Sequence, residues 1–278
     1  MTLEVLDSVA AWNTWRARHP GVLAFVPTMG ALHEGHLSLV RRARELADLV
    51  VVSIFVNPTQ FGAGEDFDRY PRTLNADLAA LGDLADVVFA PSVEEVYPPD
   101  TTIDAIAAGP EGDTFEGAVR PGHFDGMLTV VNRLFDIVDP DIAVFGAKDA
   151  QQVFLVRRLA THRGRPLIDV APVSRESDGL ARSSRNRYLS DAERAAATVM
   201  PATLREVANS VGEGVPSARA HGIAAVACEP LAKLDYLEFV DPATFRAVPD
   251  TFHGEATLVL AAHIGATRLL DTQNVIIP

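Results

Sequence analysis

Apolar positions along this chain switch repeatedly between two periods. Val22-Leu-Ala-Phe-Val26 and, but for Ser53, Leu49-Val-Val-Val-Ser-Ile-Phe-Val56 are continuous apolar runs, as expected of parallel strands covered on both faces. Between them Leu37, Leu39, Val40, Ala43 and Leu46 recur at helical spacing. The alternation goes on to predict a helix over 73–84, a strand over 86–90, a helix over 127–138, a strand over 142–145, a helix over 150–162 and a strand over 167–170. Strand and helix in turn specify an α/β fold, a doubly wound, Rossmann-like parallel sheet with right-handed crossovers. From about Ser174 the pattern changes to a charged loop, helices over 191–211 and 217–227, and short strands near 234–240, 256–262 and 267–273. Two domains are therefore expected: 1–174 with the parallel sheet, and 175–278 as a smaller C-terminal α+β domain. Ser190 and Glu193 fit a capping box at the start of the first of those helices, and 212–216 reads as the turn between them.

Composition narrows the class. With 278 residues, 48 % of them hydrophobic, the chain is long enough for one large or two modest globular domains. A net charge of −13 argues against a nucleic-acid partner or an anionic membrane, both of which need a basic face, so any anionic ligand must meet a locally positive site. The single cysteine, Cys228, excludes an internal disulfide and suits a reducing cytoplasm; packing is its expected role. The N-terminus lacks a basic region followed by an apolar core, and no apolar run approaches the roughly 20 residues that span a bilayer. A cytoplasmic chain with no membrane partner is the expectation.

Chemistry-bearing residues gather where predicted strands end. Pro27-Thr-Met-Gly-Ala-Leu-His-Glu-Gly-His36 carries a strand through a glycine turn into a helix N-terminus, where free amides face an anion. His33 and His36, at i and i+3, share one helix face and can both donate to one phosphate chain; the plainer reading is that they only cap the first turn. Asn57-Pro-Thr-Gln60 follows the second strand and offers side-chain amides to orient a ligand, or is simply a turn. The stretch from Phe61 to Pro71, with paired glycines and acidic residues, reads as a mobile flap or a solvated loop. Phe145-Gly-Ala-Lys148 repeats strand, glycine and helix start. It places Lys148 in the first helical turn, against the helix dipole, where a phosphate or solvent would compensate it; Gln152 lies one turn further on. Ser177 to Tyr188 combines hydroxyls with Arg182, Arg185 and Arg187, of which one or two are expected to touch ligand and the rest to pair with surface carboxylates. Ligands gather at the carboxyl ends of such sheets, so His33, His36, Asn57, Gln60 and Lys148 point to one cleft. His263-Ile-Gly265 lacks a second histidine and sits in a strand pattern, and the histidine spacing differs from that of a zinc-protease helix.

Taken together these motifs resemble the pantothenate synthetase family of two-histidine nucleotidyltransferases. Pro-Thr-Met-Gly-Ala-Leu-His-Glu-Gly-His, Phe-Val-Asn-Pro-Thr-Gln-Phe, Glu-Asp-Phe-Asp-Arg-Tyr-Pro-Arg, Pro-Gly-His-Phe, Phe-Gly-x-Lys-Asp-x-Gln-Gln and Ser-Ser-Arg-Asn-Arg-Tyr-Leu occur in the family's order across residues 22–190. The resemblance implies an ATP-dependent ligase that condenses pantoate with β-alanine through a pantoyl adenylate, releasing AMP and pyrophosphate, as a cytoplasmic homodimer using Mg²⁺. It implies that Met29, Gly30, Ala31, Leu32, His33, Glu34, Gly35 and His36 line the ATP site with both imidazoles at the phosphates. Gly146, Ala147, Lys148, Asp149, Ser183, Ser184 and Arg185 would complete that site, with Ser174 at adenine. Gln60 and Gln152 would hold pantoate, with Asn57 and Tyr70 in support; the metal ligands are not identified. Catalysis would fall to His36, His33, Lys148 and Arg185. The chain departs from the family at Arg182, where Met or Leu is usual, at Ala147, where Glu is usual, and in Pro172-Val-Ser-Arg175.

Two other classes stay open. One is a related nucleotidyltransferase that adenylates another small acid or a mononucleotide; two glutamines suit a small hydroxy acid better. The other is a nucleotide-binding regulatory protein with a decayed site, against which both histidines and Lys148 argue. A tRNA synthetase would need a basic tRNA-binding domain after the catalytic unit.

Overall fold

The computed structural model describes residues 3–61, 67 and 70–278, so the proposed flap lies largely outside the described residues. The chain divides into two compact units, Met1–Gly146 with Leu155–Ala171, and Ala147–Phe154 with Pro172–Pro278.

The larger unit is built on a six-stranded parallel sheet. In chain order its elements are β1 (Glu4–Leu6), α1 (Val9–Arg18), β2 (Leu23–Thr28), α2 (Glu34–Leu46), β3 (Leu49–Ile54), α3 (Leu74–Leu81) and β4 (Val87–Phe89). Single turns α4 (Val93–Val96) and α5 (Glu116–Val119) follow, then α6 (His123–Val138), β5 (Ile142–Gly146), α7 (Ala150–Arg163), which belongs to this unit from Leu155 onward, and β6 (Leu167–Ala171). The sheet order is β1-β4-β3-β2-β5-β6, with Leu23 opposite Leu49 and Ile142 opposite Leu167. The chain winds outward from β2 through β3 to β4, then returns to place β5 on the other side of β2. The carboxyl ends of β2 and β5 therefore flank a topological switch point, the ligand-binding position of open α/β sheets.

The continuous apolar runs are explained by burial on both faces. Ala24 and Val26 of β2 pack with Val40 and Ala43 of α2 and with Val50 and Val52 of β3. Phe25, on the opposite face, meets the Phe135 ring edge-on at 6.4 Å, and Trp12 of α1 lies 6.1 Å from Phe89. Helix α6 starts four residues earlier than the apolar pattern predicts, because Gly122 takes the left-handed conformation (φ 79°) that turns the chain into it.

The smaller unit contains α8 (Asp191–Ala196), α9 (Val199–Ser210) and α10 (Val215–Ala227), and an antiparallel sheet β7 (Ala232–Val240), β8 (Gly254–Ile264), β9 (Thr267–Ile277) in that order. Met200, Leu204 and Val207 of α9 share a core with Phe239, Leu258, Leu260 and Leu269 of the sheet. The single helix expected over 191–211 is two. Pro201 has no N–H for the Ala197 carbonyl and its ring would collide with that group, so the ladder breaks after Ala196 and restarts. Ser190 and Glu193 form the expected capping box. Helix α10 begins at Val215, ahead of the expected Ser217, since Pro216 is tolerated in a first turn. Cys228 is exposed beyond the end of α10 and does not pack in a core. His263 is a β8 residue paired with Lys233 and Arg268, as its strand pattern implies.

Candidate functional site

In the larger unit the turn after β2 is held from both sides. Gly30 (φ 83°) and Ala31 (φ 51°) are both left-handed, which reverses the chain between Thr28 and α2. The Gly30 N–H donates to Thr28 Oγ1, and the Thr28 hydroxyl donates to the Ser53 carbonyl at 2.6 Å, fastening the turn to β3. From α3 the Asp77 carboxylate accepts the Ala31 and Leu32 amides at 3.1 and 2.7 Å and the Thr73 hydroxyl at 3.2 Å. Asp77 is only 2 % exposed, so its charge is balanced by these donors rather than by water.

The turn delivers two histidines that cap their own helix. His33 Nδ1 accepts the Gly35 amide at 3.1 Å, and His36 Nδ1 accepts the His33 amide at 3.4 Å, an imidazole version of the reciprocal capping box. The plainer sequence reading, that the pair caps its first turn, is thus observed. Because each Nδ1 is an acceptor, the proton of each neutral ring sits on Nε2, which makes Nε2 the donor atom. The ring centroids are 4.1 Å apart, so the two donors serve one small region.

The turn after β3 orders the second predicted pair. Asn57 is fully buried; its Nδ2 donates to Gln60 Oε1 (3.2 Å) and the Gly126 carbonyl (3.1 Å). Its Oδ1 accepts from Tyr97 Oη (2.9 Å) and from Thr59 N–H and Oγ1 (3.3 and 3.0 Å). With the Gln60 oxygen taken by Asn57, the Gln60 NH₂ is the end available as donor. Burial pushes the Tyr97 hydroxyl above its ordinary pKa, with the Thr59 contact opposing, and keeps it a donor. The Gln60 carbonyl is approached by Arg120 Nη2 (3.3 Å) and His123 Nδ1 (3.1 Å). Gly126 of α6 lets this turn pack directly on the helix, since a Cβ there would lie 2.0 Å from the Thr59 carbonyl oxygen. Tyr70 stacks edge-on against Phe61, with centroids 5.8 Å apart.

In the smaller unit Lys148 precedes α7 instead of standing in its first turn. The helix starts at Ala150, the Asp149 carbonyl accepts from the Val153 amide, and Lys148 Nζ donates to the Asp149 carboxylate at 3.2 Å. The Asp149 carboxylate beside the lysine offsets the expected conflict with the helix dipole. Gln152 is half-buried and its neighbour Gln151 buried. Residues 174–182 form a small hairpin: the Ser174 carbonyl accepts the Arg182 amide (2.9 Å), Glu176 N–H donates to the Leu180 carbonyl (2.8 Å), and Arg175 bridges Ala181. It runs into Ser183, whose hydroxyl accepts the Arg185 amide at 3.3 Å and opens a short 3₁₀ turn. Of the three arginines, Arg182 pairs with Glu176 (3.1 Å) and Arg187 lies over the Tyr188 ring, while Arg185 is exposed. The Arg182 departure from the family is thus a structural ion pair. Ala147 contributes its carbonyl, which accepts from Thr272 Oγ1 at 3.1 Å, so loss of the usual Glu side chain leaves that contact intact.

Sequence reasoning passed over Asp77, Tyr97 and Arg120, and it quoted His123 and Arg175 only within motifs, with no role assigned to either. A signal existed for Asp77: it stands one turn before Leu81 on the buried side of α3, where an apolar residue belongs.

The family described as Pantoate-beta-alanine ligase matches residues 2–274. The pantothenate synthetase of Leifsonia xyli is 55 % identical over 258 residues, covering 92 % of this chain and 90 % of its own. That of Roseiflexus sp. is 48 % identical, covering 97 % and 98 %. Among solved structures, pantothenate synthetase from Thermus thermophilus superimposes with a TM-score of 0.90 at 43 % identity over 98 % of this chain and 99 % of its own. Pantoate-beta-alanine ligase from Francisella tularensis, complexed with beta-gamma ATP and beta-alanine, gives 0.77 at 34 % identity, covering 98 % and 97 %. A parallel sheet with its switch point between β2 and β5, two self-capping histidines after β2 and agreement along nearly the whole chain leave one conclusion: the chain belongs to the pantoate–β-alanine ligase family.

Proposed function

We propose that the chain performs its ligation in two steps on the residues singled out above. The overall reaction is that of its family, joining pantoate to β-alanine with ATP. In the first step a pantoate carboxylate oxygen attacks the α-phosphorus of MgATP, the bond to the bridging oxygen breaks, and pyrophosphate leaves a pantoyl adenylate. In the second the β-alanine amine attacks the acyl carbon, AMP leaves, and the amine proton is lost to give pantothenate. Both steps gain most from positioning and from compensating the charge that builds on the leaving group.

The observation that carries this assignment is the reciprocal histidine cap, which directs two Nε2–H donors from one turn. We assign His33 and His36 to the triphosphate, within a segment from Met29 to His36 that lines ATP. Lys148 and Arg185 supply full positive charge to the phosphates, while Gly146 to Asp149, Ser183 and Ser184 complete the ATP contacts and the Ser174 backbone meets adenine. Gln60 and Gln152 hold pantoate, with Asn57 orienting Gln60 and Tyr70 in support. Mg²⁺ travels with the triphosphate, where phosphate oxygens and water supply most of its ligands; among the described residues no group of three or more His, Cys, Asp or Glu is arranged for a metal. A cytoplasmic homodimer completes the proposal, and light scattering tests its mass. Among the described residues no helix is long and apolar enough to cross a membrane.

The direct test is pyrophosphate release from MgATP and pantoate with and without β-alanine, with mass detection of product. Pyrophosphate and a pantoyl adenylate formed before β-alanine is added support the two steps; pyrophosphate release that strictly requires β-alanine overturns the order.

A further inference from the structure

One carboxylate of β9 stands where an apolar side chain belongs. Leu269, Asp271, Val275 and Ile277 share one face of the strand, and all are buried, with Asp271 at 1 % exposure. The Asp271 carboxylate holds Arg175 through both oxygens, at 2.7 and 2.9 Å, and accepts the Thr272 amide at 2.8 Å. The same guanidinium donates to the Gly179 carbonyl (3.0 Å) and the Thr272 carbonyl (3.2 Å). Arg175 is therefore bonded to both sides of the 174–182 hairpin and to β9. Leu180, at the hairpin's far end, is buried in the core of the same unit. The next residue of β9, Thr272, donates its hydroxyl to the carbonyl of Ala147, immediately before Lys148. Burial pushes the Asp271 carboxyl above its ordinary pKa, while Arg175 and, more weakly, Lys148 oppose that rise.

Two consecutive residues of one strand thus hold both segments of the smaller unit to which ATP contacts are assigned. We propose that Asp271 and Thr272 are positioning residues for adenylation: Asp271 acts through Arg175 on Ser174 and the Ser183–Arg185 turn, and Thr272 acts through the Ala147 carbonyl on Lys148. This rests on the assignment of Lys148 and Ser183–Arg185 to ATP. A buried ion pair is weak evidence of a stabilising role in itself. What gives this one its meaning is where its bonds end: on the hairpin at Gly179 and on Thr272, whose own hydroxyl reaches the lysine segment at the Ala147 carbonyl.

The test is a double-mutant cycle on pyrophosphate release. Thr272→Val removes one hydroxyl at constant shape and should raise KM for ATP, or lower the adenylation rate, about 10-fold, the scale of one lost hydrogen bond. KM for pantoate should stay within twofold, and Thr272→Ser should restore both constants. In a Lys148→Ala background Thr272→Val should have little further effect, because the two act as one unit. Unchanged ATP constants in Thr272→Val, equal losses toward ATP and pantoate, or a full additional loss in the Lys148→Ala background each overturn the role of Thr272. Asp271→Asn should likewise weaken ATP use selectively, and equal losses for both substrates overturn its role. Wild-type adenylation by Lys148→Ala alone would instead remove the assignment of Lys148 on which the inference rests.

Discussion

The histidine turn of the larger unit and the lysine and serine–arginine segments of the smaller unit are held in opposite ways. His33 and His36 cap the helix they begin, with partners two and three residues away, while Asp77, 46 residues along the chain, and Ser53, through Thr28, hold the turn that precedes them. The Lys148 segment is held by Thr272, 125 residues away, and the hairpin that runs into the Ser183–Arg185 turn is held by Arg175 and Asp271, 96 residues apart. A locally closed motif keeps its geometry as long as its helix forms. A motif closed over a long loop has its geometry only when the sheet that carries its partners is complete. The first should tolerate damage elsewhere in its unit, and the second should not.

The comparison is broken most severely by removing charge from the long-range side. Lys148→Ala is expected to lower the adenylation rate by about 10² or more while leaving the melting temperature within a few degrees, since one preorganised donor is lost from an otherwise unchanged turn. A single-turnover measurement of pyrophosphate release with pantoate checks it. The next largest effect is expected at Gly126, where a methyl group would occupy the place of the Thr59 carbonyl. Gly126→Ala should displace the Asn57–Gln60 turn, cost about 1–3 kcal/mol of stability, and raise KM for pantoate more than KM for ATP. Urea unfolding together with steady-state kinetics reads both.

Asp77→Asn addresses a long-range contact of the histidine turn. Replacing one acceptor oxygen by NH₂ leaves the Ala31 or the Leu32 amide without its partner, at a cost of about 1–3 kcal/mol. If the local cap dominates, the ATP constants fall by less than in Lys148→Ala; a loss as large would place the histidines under long-range control as well. The smallest effect is expected at Asp178. Its carboxyl is held below the ordinary range, first by the hydrogen bond from Arg194. Stability from that pair is present above the unfolded-state pKa and lost as pH falls through the folded-state value. Asp178→Asn should therefore lower stability slightly at pH 6, by less than about 1 kcal/mol as for exposed pairs, with the difference shrinking toward pH 3. Thermal melts across that range measure it.

Legibility in the sequence follows the same division. The runs at β2 and β3 are apolar on both faces and could be read directly as parallel strands, and the alternation after them prescribed the doubly wound sheet. The split of the expected 191–211 helix was also available, since Pro201 cannot continue a ladder, and reading through it was an error of local chemistry. Helix α1 offered a signal too: Ser8 caps it, and Trp12 and Trp15 lie one turn apart on its buried side. Exposure of Cys228 was not legible, because a small apolar residue near a helix end can face either way.

For the candidate site, residue types and their spacing named the histidines, Asn57, Gln60 and Lys148, because the chemistry of phosphate and small-acid recognition restricts which side chains serve and the strand–turn–helix rhythm restricts where they stand. Tertiary structure alone decided what holds them. Asn57 Oδ1 meets Tyr97, the Gln60 carbonyl meets Arg120 and His123, Ala31 and Leu32 meet Asp77, and the Ala147 carbonyl meets Thr272. None of these pairs is separated by a helical or strand period. Each is set by the packing of whole elements, and a contact fixed by packing leaves no spacing in the chain for a reader to find.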